Sequence, residues 1–287
     1  MNVRGNWWLV ISLALVLVLA SRSPACEFCT APSVTLSEQR DQAAAVLYVK
    51  WLAVRPSEVE FKPGLSVRIQ PARTEYEIVE VLVDRLGRFK NTTHIFIPGS
   101  HSSSPKTTFL LLASANESGL TWQTALPVTS ESVRYVSELP ESTLPTSARL
   151  KYFLNHLESE DVMIANDAYG EFALASFSEI RKMRQSLPRK KIRQWVTDET
   201  TAVNRLGLYG MLLGLCGEED DARLMAKHIQ KPTTPDEIRL GIDGIMAGYL
   251  LLKGEEGLPL IEEAMLKKGS QPNYSEVFAA MKAIEFS

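Results

Sequence analysis

The chain has 287 residues, with 31 basic and 34 acidic side chains and a formal net charge of −3. That balance excludes general, charge-driven nucleic-acid binding. The length suits one large or two modest domains.

The N-terminus reads as an export signal. Arg4 supplies a short positive region, Trp7 to Ala20 is apolar except for Ser12, and small residues stand at Ser23 and Ala25. This order is that of a secretory signal peptide over residues 1–25, cleaved before Cys26. A retained anchor would need about 20 apolar residues. A lipoprotein would need an aliphatic residue where Ser23-Pro24-Ala25 has none. Cleavage removes Arg4 and Arg22 and no acid, which moves the net charge to −5. The membrane is involved only through this segment, if it is retained.

Cys26 and Cys29 follow as C-x-x-C. A c-type haem anchor needs His next, and here Thr30 follows. Zinc needs two more nearby Cys or His ligands, whereas Cys216 is remote and His94, His101, His156 and His228 are dispersed. A redox pair of the thioredoxin kind opens a helix after a strand; this one leads into Ala31-Pro32. The reading that remains is a structural Cys26–Cys29 disulfide of an oxidising compartment, with Cys216 a small core hydrophobe.

Residues 26–140 have mostly β texture. Thr35-Leu36-Ser37-Glu38 fits a capping box for a short helix to about Ala45. Val46–Val54 is a strand by composition, and a polar stretch follows to Ala72. Thr74–Val83 alternates, then slips phase at Ile78-Val79 as a β-bulge would cause. Asp84–Gly87 turns the chain, Thr93–Ile97 is a strand, and Ser100–Pro105 reads as a flexible loop where substitutions matter little. Thr107–Ala113 and Leu120–Ala125 complete about five strands, which suits a small barrel or sandwich. The order Cys-x-x-Cys, short helix, "AAAVLYVKWLAV", "YEIVEVLVD", "THIFIPG", "TTFLLLAS" resembles the netrin-like OB-fold of metalloproteinase inhibitors over roughly residues 26–126. In that family the N-terminal cysteine's amino group and carbonyl chelate the protease zinc, and Cys26 matches that position. The family's C-x-C and its distant cysteine partners are missing here.

Residues 146–287 read as helical. Leu150, Phe153, Leu154 and Leu157 recur with helical spacing, as do Val162, Ala165, Ala168, Tyr169 and Phe172. Ser178–Leu187 and Pro188–Val196 give two further short helices. "RLGLYGMLLG" (Arg205–Gly214) and "RLGIDGIMAG" (Arg239–Gly248) match at an offset of 34 residues, and each is followed by a second helix. A period in this range with two helices per unit marks an α-solenoid, and this half resembles HEAT-like repeats, which are usually binding scaffolds. The fold class expected is therefore α+β: an OB/netrin-like β-barrel followed by an α-solenoid of HEAT-like hairpins. Gly207, Gly210 and Gly214, with Gly241, Gly244 and Gly248, are read as close helix packing, because each interior glycine costs about 1 kcal/mol relative to alanine.

Residues 181–193 hold seven basic side chains and no acid: Arg181, Lys182, Arg184, Arg189, Lys190, Lys191 and Arg193. They are a candidate surface for an acidic protein or an envelope polymer. Glu218–Asp221 complements a helix N-terminus. Asn91, Asn116 and Asn273 head glycosylation sequons. There is no G-x-S-x-G, H-E-x-x-H, P-loop or G-x-G-x-x-G, and one-turn carboxylates such as Asp167 and Glu171 do not alone specify acid–base chemistry. No catalytic residue, metal ligand or cofactor is assigned. The function expected is that of an exported, non-catalytic binding or scaffold protein, against an enzyme with an unrecognised site or a hydrolase inhibitor acting through the N-terminal domain.

Overall fold

The computed structural model describes residues 26, 28–29, 34–62, 66–117, 119–234, 236–266 and 273–287. Residues 1–25, where a signal segment is expected, lie outside the described residues. The chain forms two compact units. One is Ala31–Glu171; the other joins Cys26, Phe28 and Cys29 to Phe172–Ser287.

The first unit opens with α1 (Leu36–Gln42), which carries the expected capping box: the Thr35 side chain accepts from Glu38 N–H, and Glu38 reaches back to the Thr35 N–H. The strands are β1 (Ala45–Arg55), β2 (Glu58–Lys62), β3 (Ser66–Gln70), β4 (Arg73–Asp84), β5 (His94–Pro98), β6 (Thr108–Asn116), β7 (Gly119–Trp122) and β8 (Leu126–Pro127). Helices α2 (Ser130–Ser137), α3 (Thr146–Leu154) and α4 (Val162–Leu174) follow. All strand pairs are antiparallel, in the order β5-β4-β1-β6-β7, with β8 also on β6. The slip at Ile78-Val79 is a bulge: Tyr48 faces Glu80 and Val49 faces Ile78, so Val79 is extra.

Alternation along β1 and β6 builds the core. Ala45, Leu47, Val49, Phe109, Leu111 and Ala113 point to one face, joined by Tyr76 and Phe89. Val46, Leu110 and Leu112 are buried on the other, where α1 packs against β6. Arg40 donates to the carbonyls of Leu139 and Pro140, tying α1 to the residues after α2.

The barrel expectation is corrected. Among the described residues β5 pairs only with β4 and β7 only with β6, so the sheet stays open with two edges. β2 and β3 pair with each other as a separate hairpin in the stretch read as polar, and so take no part in closure. The edge strands β5 and β7 are five and four residues long, and among the described residues no ladder joins them.

The helical unit comprises α5 (Phe177–Lys182), a 3-10 turn Arg184–Ser186, α6 (Arg189–Thr197), α7 (Leu206–Cys216), α8 (Glu219–Ile229), α9 (Ile242–Lys253), α10 (Leu258–Ile261) running into a π-turn Glu262–Leu266, and α11 (Tyr274–Phe286). α7 and α9 meet along their glycines. A Cβ on Gly207 would lie 2.8 Å from the Phe28 carbonyl oxygen, with the Gly241 Cα at 3.5 Å. One on Gly210 would lie 2.7 Å from Gly244 O and Ile245 N, and one on Gly214 2.6 Å from Gly248 O. The partners ascend together, so the helices run parallel with backbone against backbone.

The helical half expected for residues 146–287 is present. α8 has eleven residues, whereas its counterpart after α9 is a four-residue helix continued as a π-turn. α5 and α6 have six and nine residues. The internal match thus falls on a parallel helix pair, α7 and α9, whose following helices differ in length. Gly241 lies outside the helix as the α9 N-cap, in the left-handed region at φ +80°. Asn273 is likewise spent on structure: its side chain caps α11 and donates to the carbonyls of Thr234 and Glu237. Being buried, it is no glycan acceptor in the folded state.

Candidate functional site

The basic run separates by its neighbours. Ile180, Met183, Leu187, Ile192 and Val196 are buried and fix α5, the 3-10 turn and α6. Asp221, fully buried, stands at the third position of α8, where its carboxylate accepts from the Glu218 N–H at 2.9 Å. Arg189 Nε donates to the same carboxylate at 2.6 Å and Arg193 Nη1 to its other oxygen. Arg189 also pairs with Glu218 at 2.7 Å. Burial alone would raise the Asp221 pKa, but the capping N–H and two guanidiniums hold it below its ordinary value. Lys182 pairs with Glu179. The acidic cluster read as a dipole complement is thus also an internal partner for the basic run.

Arg181, Arg184, Lys190 and Lys191 remain, exposed and without a hydrogen-bond or ion-pair partner among the described residues. Arg181 and Arg184 line one cavity of about 310 Å³ with Phe177, Leu215, Leu251 and Phe286; Gly214 and Ser287 complete it. Spacing of basic residues pointed to the run, but only the fold selects this pair.

The Cys26–Cys29 disulfide forms in the same unit, with Cα atoms 5.4 Å apart. Cys29 N–H donates to Cys26 O, closing a tight turn, and Cys26 N–H donates to Ala173 O. Cys26 is buried. The turn seats Phe28 over Gly207, with its ring 4.7 Å from that of Phe286 and with Lys282 Nζ 5.1 Å from the ring centroid. Cys216 is half-buried; burial first, then Asp221, pushes its thiol up to about 11, which makes it a poor nucleophile.

Two polar clusters in the sheet unit have no long-range signature in the sequence. Asp167 and Glu171, one turn apart on α4, are both buried. Asp167 accepts from Leu36 N–H at 2.6 Å and Tyr135 O–H at 2.7 Å. Glu171 accepts from Thr35 O–H at 2.6 Å and Arg149 Nη2 at 2.8 Å. Each carboxylate is therefore saturated by groups that dock α1, α2 and α3. The second cluster overturns the reading of Ser100–Pro105 as inert. His101 Nδ1 is 2.7 Å from Tyr76 Oη, His101 N–H donates to Thr74 Oγ1, and His101 O accepts from Trp51 Nε1 at 2.8 Å. Burial raises the Tyr76 pKa, so the phenol keeps its proton. His101 anchors its loop over a second cavity of about 310 Å³.

Burial raises the Asp167 pKa from 3.8 to about 6 despite its two hydrogen bonds. The neutral form is thus favoured in the folded state. Its contribution is complete below about pH 3.8 and is lost as pH rises through about 6, a change of about 3 kcal/mol. Asp161 acts in the opposite sense: burial opposes, but the Ser132 and Thr129 hydroxyls hold its pKa low, so its contribution is lost at acid pH. Urea titrations between pH 4 and 7 should give a stability that falls with pH in the wild type and much less in Asp167→Asn. Equal slopes would exclude Asp167 as the source.

A cavity of about 860 Å³ between Val196 and Pro232 is lined by Asp198, Glu199, Lys227, His228 and Lys231 without convergence of one charge. Among the described residues no three His, Cys, Asp or Glu side chains are grouped to hold a metal, and no helix is long and apolar enough to cross a membrane. No protein-family model, curated protein or solved structure matches the chain.

Proposed function

We propose that this is an exported, non-catalytic binding protein whose ligand carries negative charge. The observation that carries the reading is the Arg181–Arg184 pair: two exposed arginines lining one cavity while their basic neighbours Lys182, Arg189 and Arg193 are satisfied internally. Arginine presents a planar fork of donors that matches carboxylate geometry. Of the lining side chains Ser287 alone carries a hydroxyl, and it donates to the Ile284 carbonyl. Export rests on the apolar segment over residues 1–25, and the Cys26–Cys29 disulfide supports it, since such bonds persist in oxidising compartments.

The test is fluorescence anisotropy with a labelled glutamate-rich peptide at 0.05 and 0.15 M salt. Binding should weaken with salt and fall tenfold or more in Arg181→Glu/Arg184→Glu. Lys190→Glu/Lys191→Glu should retain most of it. No binding, or binding indifferent to the arginine pair, would defeat the proposal.

A further inference from the structure

The walls of this cavity narrow the ligand. An acidic polymer needs only positive charge at a surface, but here the two arginines share a cavity with four apolar residues. Leu215 is buried, and Phe177, Leu251 and Phe286 are partly so. The two rings are also braced. Phe177 and Phe286 meet edge to face at 4.6 Å, and Phe286 meets Phe28 at 4.7 Å, with Phe28 held in turn by the disulfide turn and the bare face of Gly207. The cavity is therefore formed before any ligand arrives, which lowers the ordering cost of binding. Its volume of about 310 Å³ lies at the small end of small-molecule sites.

We infer that the Arg181–Arg184 cavity binds an amphipathic carboxylate, a medium-length acyl or aryl acid with its carboxylate on the two guanidiniums and its apolar part against Leu215, Leu251, Phe177 and Phe286. This rests on the reading of the site as one for negatively charged ligands and adds the apolar requirement. An apolar tail without charge would leave both guanidiniums unpaired. A compact anion without a tail would leave the apolar wall wet. The two parts together favour one molecule that carries both.

Isothermal titration calorimetry on the full mature protein decides it, using decanoate, acetate and decanol as probes below their aggregation limits. Decanoate is expected to bind at least tenfold more tightly than either control. Arg181→Gln/Arg184→Gln should weaken decanoate at least tenfold and leave decanol unchanged. Leu251→Trp, which fills the cavity while keeping both arginines, should abolish decanoate binding, yet leave any glutamate-peptide binding in place. Circular dichroism and melting curves establish that both variants fold; should Leu251→Trp unfold, Leu251→Phe takes its place. Equal affinity for decanoate and acetate would overturn the apolar requirement while sparing the broader reading. Equal affinity for decanoate and decanol would overturn the role of the arginines. No binding of decanoate would overturn the inference outright, and peptide binding in the same preparation would then separate that failure from failure of the anion-binding reading.

Discussion

Gly248→Ala is expected to destabilise the helical unit by about 3 kcal/mol or more, and Gly210→Ala by a comparable amount. A Cβ on Gly248 would lie 2.7 Å from the Gly210 carbonyl carbon and closer still to its oxygen. A Cβ on Gly210 would lie 2.7 Å from Gly244 O, Ile245 N and Ile245 Cα. These neighbours are backbone atoms of a packed helix, so no rotamer change can relieve the clash and α7 and α9 must separate. Both helices are buried along most of their length, so separation opens a core rather than a surface seam. The roughly 1 kcal/mol of helix propensity gained with alanine is smaller than this cost. Thermal denaturation should show the midpoint falling by roughly 10 °C or more, while exposed Ser102→Ala leaves it in place. His101→Ala in that same loop should cost stability through the lost Nδ1–Tyr76 Oη bond and the lost ring contact with Phe109, while the backbone bonds to Thr74 and Trp51 stay. A midpoint unchanged or raised by Gly248→Ala and Gly210→Ala would refute backbone contact as the reason for the glycines.

What the chain discloses by itself follows the range of the interactions. β1, β4 and β6 are legible because burial on one or two faces imposes their pattern, and even the Val79 bulge appears as a phase slip. The Thr35–Glu38 capping box is legible because both partners lie within one turn. The α7–α9 glycines are legible because their cost needs a compensating close approach. α2 is not: Ser130–Ser137 is eight residues long and its cap uses Ser132 where a capping box normally has Glu or Gln. Strand periodicity says which face is buried but not whether the edges meet, so an open sheet and a barrel read alike. Arg189 and Asp221 are 32 residues apart, and Thr35 and Glu171 are 136 apart. Nothing local marks either pair, so neither the saturation of the carboxylates nor the isolation of Arg181 and Arg184 could be read from spacing.

Phe28→Ala should cost the helical unit about 3–5 kcal/mol, more than reducing the adjacent disulfide. The disulfide closes a loop of only four residues, so in the chain-entropy picture its loss costs about 2 kcal/mol. Phe28, by contrast, is 6% exposed; it covers the Gly207 backbone, meets the Phe286 ring and carries Lys282 over its face. Truncating it leaves a void that the backbone of α7 cannot fill, because the glycine beneath has no side chain to move. Lys282 would keep its 3.0 Å pair with Asp243, so the loss should be one of packing and insensitive to salt. The turn therefore answers the question that C-x-x-C poses: it positions one aromatic side chain, with the sulfur atoms as the clamp. Amide exchange should show α7 and α11 losing protection in Phe28→Ala, with a smaller loss in Cys26→Ser/Cys29→Ser. Because Phe28 braces Phe286, decanoate binding should weaken in the same order. If Phe28→Ala proved milder than removal of the disulfide, or left α7 protection intact, the bond itself would be the stabilising element and the aromatic clamp would be wrong.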